Sequence, residues 1–192
     1  MNRIGLFGGS FDPVHLGHLL VAQAACEELA LDRLFFIPAA QSPFKPGSAP
    51  ASPALRLRML RLALAGQARY EVDEQELQRG GVSYSIDTAR AYAEKFPAAE
   101  LFYLIGADHV PTLPKWREAE ALAALVQFVV IPRPGEIPAT LPPPFRIQIL
   151  GGWPLKLSSS QVRARVRERK TVDHLLPRGV SEVIHEAALY RA

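Results

Sequence analysis

Short apolar runs alternate along the chain with longer segments whose apolar residues recur every three or four positions. The short runs predict strands and the longer segments predict helices. The predicted strands are Arg3–Phe7, Leu34–Pro38, Tyr70–Val72, Leu101–Ile105, Val126–Ile131 and Arg146–Leu150. The predicted helices are Leu16–Leu29, Ala54–Ala65, Ser85–Phe96, Arg117–Leu125, Ser158–Arg169 and an amphipathic segment over Val180–Ala187. This alternation predicts an α/β fold, a Rossmann-like parallel sheet with helices on both faces.

Two proline-rich segments interrupt the alternation. Ala39–Pro53 is rich in Pro, Ser and Gly, which predicts a loop long enough to close over a ligand. Pro132–Pro144 holds six prolines and predicts a semi-rigid connector rather than a domain boundary. We therefore expect residues 1–192 to form one domain, with a small helical portion from about residue 158. Within Ala54–Ala65, the pattern places Arg56 off the leucine face.

The composition is that of an ordinary globular protein. The 192 residues are 48% hydrophobic and 21% charged, and the formal net charge is +3. This mild basicity suits anionic ligands but predicts no nucleic-acid partner, because the basic run Arg163–Lys170 is typical of a solvated helix face. The single cysteine, Cys26, is expected to be a buried thiol without a disulfide partner. No apolar run is long enough to span a membrane, and no signal peptide is visible, so we expect a cytoplasmic protein. The sequence leaves homo-oligomer formation open.

The first candidate site follows the first strand. Residues 8–18 read G-G-S-F-D-P-V-H-L-G-H, so that two imidazoles enter the first helix three residues apart and share one face. A helix start presents free N–H groups and partial positive charge, which favours a polyphosphate. We expect Asp12 to order the turn rather than take a proton. Two capping or core histidines would give the same short pattern, whereas a metalloprotease would need a glutamate between histidines one helical turn apart.

The second candidate site is the helix start L-S-S-S-Q-V-R at residues 157–163. Ser158 followed by Gln161 predicts a capping box. Hydroxyls and free N–H groups gather there, with Arg163 one turn further on, and this combination suits an anion. A serine-rich helix start is often plain capping, so the interpretation depends on its pairing with the first motif.

Together the two motifs resemble those of the H-x-G-H nucleotidyltransferases, a Rossmann-like class of adenylyl- and cytidylyltransferases. Within this class, the chain is most similar to the bacterial nicotinate-nucleotide adenylyltransferases. Further matches are Ile37–Ala40, Pro43–Pro46, Ser83–Thr88, Ile105–Asp108, Leu113–Trp116, Leu175–Pro177 and Ala188–Tyr190. The resemblance covers nearly the whole chain and implies a single nucleotidyltransferase domain. The main departure is Phe44, which stands where the family usually has a histidine.

The resemblance implies a role for each matched residue. His15, His18 and Arg163 would be catalytic, binding the ATP phosphates and the transition state. The implied ATP-binding residues are Gly8, Gly9, Ser10, Phe11, Gly17, Gly106, Asp108, Ser159 and Ser160. The implied nicotinate nucleotide-binding residues are Lys45, Tyr84, Ser85, Ile86, Thr88, Trp116 and Arg117. No residue is expected to hold a metal of its own, because Mg²⁺ would be carried with ATP.

The implied reaction transfers AMP from ATP to nicotinate mononucleotide, giving deamido-NAD and pyrophosphate in NAD biosynthesis. A related adenylyltransferase that prefers nicotinamide mononucleotide or another phosphate-bearing acceptor is an alternative. Phosphopantetheine and FMN are disfavoured by the Ser83–Thr88 and Leu113–Trp116 segments. A non-catalytic nucleotide-binding module is a different alternative, which the presence of both His18 and Arg163 disfavours.

Overall fold

The computed structural model describes residues 2–43, 50–132, 141–153 and 155–191. Within these ranges, the strands are β1 (Arg3–Gly9), β2 (Arg33–Pro38), β3 (Tyr70–Val72), β4 (Glu100–Gly106), β5 (Gln127–Ile131) and β6 (Ile147–Ile149). The helices are α1 (Leu16–Glu28), α2 (Pro53–Leu64), α3 (Gln75–Arg79), α4 (Ser85–Lys95), α5 (Ala119–Leu125), α6 (Ser159–Arg167) and α7 (Arg178–Glu186). The predicted strands and the predicted alternation of strands and helices are confirmed.

All six strands are parallel, in the order β3-β2-β1-β4-β5-β6. Neighbouring residues on a strand point to opposite faces of the sheet. Leu6 and Phe35 therefore pack with α4 and α5, whereas Phe7 and Phe36 pack with α1, α2, α6 and α7. Because the chain order reverses between β1 and β4, ligands are expected at the carboxyl ends of these two strands.

The segment after β4 differs from the prediction. A 3₁₀ helix spans Ala107–Lys115, and α5 begins at Ala119 rather than at Arg117. Pro111 and Pro114 lack the N–H groups that a longer α-helix would need, and Glu118 takes a left-handed backbone conformation (φ 50°). The short helix α3 was not predicted either, because five residues carry too little periodicity.

The two C-terminal helices share a core with α1 and α2. Val162 of α6 and Val180 of α7 are fully buried in the same cluster as Cys26, which confirms the predicted buried thiol. Burial raises the pKa of this thiol to about 11. In the described ranges, no helix is long and apolar enough to cross a membrane.

Candidate active site

A cleft of about 1000 Å³ opens at the carboxyl ends of β1 and β4, where the sheet order reverses. Its size is at the upper end of the range for small-molecule sites. The amino ends of α1 and α6 both line it, and both predicted motifs therefore contribute to one site. The predicted residues that line the cleft are Gly8, Gly9, Ser10, His15, Gly17, His18, Ser85, Gly106, Asp108, Trp116, Ser159 and Ser160.

The two histidines form a stacked pair at the start of α1. Their ring centroids lie 3.8 Å apart with an interplanar angle of 30°. His15 is the N-cap residue, and its backbone N–H donates to Nδ1 of His18 over 3.1 Å. Since Nδ1 of His18 accepts this hydrogen bond, a neutral His18 carries its proton on Nε2. Nε2–H of a neutral His18 is a donor of the kind that a phosphate oxygen accepts.

His15 is held neutral near pH 7. Its side chain is 5% exposed, and burial lowers its pKa from 6.5 to about 4. A neutral imidazole still donates one hydrogen bond to a phosphate oxygen. His15 therefore adds no positive charge at this end of α1, where the helix N–H groups supply positive potential.

Gly17 makes room for the His15 ring. A Cβ atom at this position would lie 3.0 Å from both Cε1 and Nδ1 of His15, closer than packed side chains normally approach. The ring would have to move to accept any larger residue. The spacing His15-x-Gly17-His18 thus has a steric reason as well as an electrostatic one.

Helix α6 begins on the same cleft. Ser158 caps the helix, and its backbone N–H donates to the side chain of Gln161 over 2.8 Å, which confirms the predicted capping box. Ser159 Oγ donates to the carbonyl of Pro13 over 2.9 Å, which joins α6 to the turn before α1. Two helix amino ends consequently face one cavity, an arrangement that favours an anion with several charges.

Arg163 reaches the same turn from one helical turn further along α6. Its guanidinium donates to the carbonyl of Asp12 over 2.6 Å and to Ser160 Oγ over 3.2 Å, and it lies 3.8 Å from the Asp12 carboxylate. Arg163 is not among the described residues that line the cleft. In this structure it holds the turn, and its predicted contact with phosphate stays a prediction.

Asp12 is the centre of a network that links distant segments. The residue is 5% exposed, and its carboxylate accepts hydrogen bonds from the Tyr190 hydroxyl (2.6 Å) and the Ala51 backbone N–H (3.1 Å). The pKa of Tyr190 is raised, mainly by burial and secondly by the hydrogen bond to Asp12. This network agrees with the expectation that Asp12 orders the turn.

Arg56 of α2 supports the same turn and was not predicted to do so. The pattern placed Arg56 off the leucine face, yet its side chain is 1% exposed. It donates to the carbonyls of Ser10 and Ala39, each over 2.9 Å, and to that of Ala51 over 3.2 Å. Arg56 is buried because three backbone acceptors from three segments surround it.

Polar side chains and an indole line one end of the cleft. Trp116 lies there, half-buried, with its ring 5.9 Å from that of His109. The Tyr103 hydroxyl donates to Ser85 Oγ over 2.9 Å at the start of α4. Glu76 of α3 is buried beside them, accepts a hydrogen bond of 2.6 Å from Thr88, and has a raised pKa because of its burial. Glu76 and Tyr103 were missed because no spacing in the sequence connects them with a motif.

Some predicted residues do not present their side chains to the cleft. Phe11 is 1% exposed and packs edge-on against the His18 ring, with centroids 5.1 Å apart. Ile86 and Thr88 are fully buried within the fold. The Arg117 guanidinium lies 4.7 Å from the centre of the Tyr84 ring and pairs with Asp87 over 3.8 Å.

The remaining points concern Lys45, Phe44, a further lysine and metal binding. Lys45 and Phe44 lie outside the described residues, so that their predicted places stay predictions. Lys156, which was not predicted, lines the cleft just before α6. Among the described residues, no group of three or more His, Cys, Asp or Glu side chains is arranged to hold a metal ion.

Comparison with known proteins agrees with this geometry. The sequence model of the family described as cytidylyltransferase-like matches residues 6–165. The chain is 44% identical to the probable nicotinate-nucleotide adenylyltransferase of Opitutus terrae, over 98% of each chain. It is 42% identical to the protein of the same name from Thermus thermophilus, over 98% of this chain and 100% of that one.

Solved structures share the fold at low sequence identity. The nicotinic acid mononucleotide adenylyltransferase of Plasmodium falciparum, complexed with NaAD, superposes with a TM-score of 0.77 at 17% identity, covering 99% of this chain and 98% of that chain. A putative nicotinate-nucleotide adenylyltransferase from Vibrio parahaemolyticus gives a TM-score of 0.73 at 19% identity, covering 100% of this chain and 96% of that chain. The fold of the present chain is thus that of a nucleotidyltransferase.

Proposed function

Because the chain belongs to the cytidylyltransferase-like family and to the sequence group of the nicotinate-nucleotide adenylyltransferases, we propose that it transfers AMP from ATP to nicotinate mononucleotide. The products are deamido-NAD, the NaAD bound by the Plasmodium protein, and pyrophosphate. The observation that carries this proposal is the stacked His15–His18 pair, which shares one cleft with the amino end of α6.

The reaction is an in-line displacement at phosphorus. A 5′-phosphate oxygen of the mononucleotide attacks the α-phosphorus of ATP, and a new P–O bond forms. The bond between the α-phosphorus and the oxygen bridging to the β-phosphorus breaks, and pyrophosphate leaves with the electron pair. A phosphate monoester is already ionised near neutral pH, so that no general base and no covalent enzyme intermediate are needed. Catalysis then consists of positioning and charge stabilisation.

The residues of the cleft suit these two tasks. The Nε2–H of His18 and the neutral His15 would donate to phosphoryl oxygens whose charge grows in the transition state. The amino ends of α1 and α6, with Lys156 nearby, supply positive potential for the triphosphate. The Ser160 hydroxyl, whose oxygen accepts from Arg163, can donate its proton at the same place. Mg²⁺ would arrive on ATP as part of the substrate.

The polar end of the cleft suits the acceptor. The indole of Trp116 offers a flat face on which a pyridine ring can stack. The start of α4 at Ser85 offers backbone N–H groups that could receive the nicotinate carboxylate. A preference for the acid over the amide would rest on these backbone donors, and nicotinamide mononucleotide is therefore the alternative acceptor to test.

Pyrophosphate release with Mg-ATP and either mononucleotide tests the proposal. The wild-type protein should release pyrophosphate rapidly with the nicotinate form and weakly with the nicotinamide form, and mass spectrometry should identify the dinucleotide. Loss of the His18 donor in H18A should lower kcat by about 10²- to 10³-fold.

The matched control is His174→Ala, since His174 is exposed and is not among the described residues that line the cleft. H174A should keep wild-type rates. Equal rates with both acceptors would refute the acid preference while leaving adenylyl transfer in place. No pyrophosphate with either acceptor would refute the substrate assignment.

A further inference from the structure

The segment between β6 and α6 brings the second tryptophan of the chain to the cleft. Trp153 lies between β6 and α6, lines the cleft and is 52% exposed. The chain has two tryptophans, and both line the same cleft. A half-exposed indole leaves a large apolar surface in water, which is unfavourable unless a ligand or partner covers it.

The backbone before Trp153 is fixed in place. Both carboxylate oxygens of Glu28, the last residue of α1, accept hydrogen bonds, from Gly151 N–H over 2.8 Å and Gly152 N–H over 2.7 Å. Gly152 has a φ of 45°, and a Cβ there would lie 3.1 Å from Cβ of Ala24. The turn is therefore packed tightly against α1, and the indole is carried by an anchored segment.

The cleft lining from Trp153 and its chain neighbours is more apolar than the lining from Ser85, Tyr103 and Glu76. The cleft lining from α1 and from the segment around Trp153 includes the apolar side chains of Val21, Ala24, Leu150 and Leu155, and Lys156 follows them. The starts of α1 and α6, which carry the proposed phosphate-binding features, line the same cleft as this wall. An uncharged flat group attached to a phosphate chain fits such a wall better than a further phosphate does.

We propose that the Trp153 indole packs against the adenine ring of ATP and is a nucleobase-binding residue of this enzyme. The inference rests on the proposed function, because it needs ATP phosphates at the His15–His18 pair. An aromatic side chain gives a base a flat apolar partner, and stacking of this kind contributes measurably to nucleotide affinity. Removal of the indole should weaken ATP binding without changing the phosphate contacts.

Calorimetric binding measurements separate the base from the phosphates. W153A should weaken binding of ATP by about 5- to 30-fold, the lower part of the range for a base–aromatic stack. W153F should restore affinity to within about threefold of wild type because it keeps a flat ring. Inorganic tripolyphosphate, which has no base, should bind W153A and the wild-type protein equally well, which also shows that the variant is folded.

Ile149 supplies the matched control. It is 51% exposed on β6 and is not among the described residues that line the cleft. I149A removes a comparable exposed apolar side chain from the same region, and it should bind ATP like the wild-type protein. An equal loss in I149A and W153A would mean that general surface changes, not stacking, weaken binding, and would overturn the proposal.

Intrinsic fluorescence gives a second readout that needs no turnover. W116F leaves Trp153 as the sole tryptophan, and its emission should change on saturation with ATP. W153F leaves Trp116, whose emission should respond to nicotinate mononucleotide more than to ATP. In E28A the anchored turn is released, so that the Trp153 emission of W116F/E28A should have lower anisotropy.

The possible outcomes distinguish a failure of this inference from a failure of the proposed function. If wild-type protein binds ATP but W153A binds it equally well, the indole does not contact the base and this inference alone is wrong. If the Trp153 emission changes with protein concentration but not with ATP, the indole lies at an interface between copies of the chain. This result would also overturn the inference. If the wild-type protein binds no ATP, the proposed function fails together with the inference.

Discussion

Replacing Arg56 by methionine should destabilise the protein far more than an ordinary surface substitution would. Methionine has a similar length but no donor, so that R56M removes three hydrogen bonds to the carbonyls of Ser10, Ala39 and Ala51. It also removes a positive charge that interacts electrostatically with the buried Asp12 carboxylate. The substitution thus leaves three carbonyl acceptors without the guanidinium that donates to them.

The expected magnitude follows from these contacts. A hydrogen bond to a charged group contributes about 1.5–3 kcal/mol, and a buried polar group left without a partner costs about 1–3 kcal/mol. These terms describe overlapping interactions, so we expect R56M to lower the free energy of unfolding by roughly 3–5 kcal/mol. For a chain of this size the melting temperature should fall by about 6–20 °C.

Urea denaturation followed by far-ultraviolet circular dichroism measures this loss, and an unchanged m-value would show that the two unfolding transitions are comparable. Arg58, two residues along α2, is the matched control. Its side chain is 52% exposed and pairs with Glu186 over 2.7 Å, so that R58M should cost less than about 1 kcal/mol. A loss below about 1 kcal/mol in R56M, or equal losses in both variants, would refute the argument.

Two further predictions concern titratable groups. Burial lowers the pKa of His15 to about 4, so that below pH 6.5 the unfolded chain binds a proton that the folded protein does not, and stability is lost as the pH falls from about 6.5 towards 4. Between pH 7 and pH 5 this contribution should reach about 2 kcal/mol in urea denaturation and should be missing from H15Q; an identical pH dependence in both proteins would contradict it. Burial also raises the pKa of Cys26 to about 11, and the thiol should react with a disulfide reagent only slowly at pH 7 and rapidly in urea. Rapid labelling of the native protein would show that the thiol is accessible.

The parts of the fold that could be predicted depend on local patterns. The β1–turn–α1 unit combines an apolar run, two glycines and a periodic segment, and the structure places it as predicted, with β1 extended to Gly9. The Ser158 cap was predictable because the cap and its partner Gln161 are three residues apart. By contrast, the 3₁₀ segment after β4 has no such regular spacing, and its prolines only indicate where an α-helix cannot continue.

The supports of the site could not be predicted, because they join residues that are distant in sequence. An arginine outside the apolar face of a helix is normally solvated. The burial of Arg56 depends on carbonyls that only the folded chain brings together. Tyr190 and Asp12 are separated by 178 positions. The anchored turn before Trp153 likewise depends on Glu28, 123 residues before Gly151. No periodicity or spacing rule connects such pairs.

These distant contacts explain how a glycine-rich turn can act as a precise phosphate site. The turn before α1 is held by Arg56 from α2, by Arg163 and Ser159 from α6, and by Tyr190 near the end of the chain. Each contact restricts the turn from a different direction, so that the His15–His18 pair is ordered before any nucleotide arrives. Preorganised donors stabilise a transition state without having to reorient during the reaction. A substitution at Arg56 or Tyr190 should therefore reduce kcat as well as stability, even though neither side chain needs to take part in the chemistry.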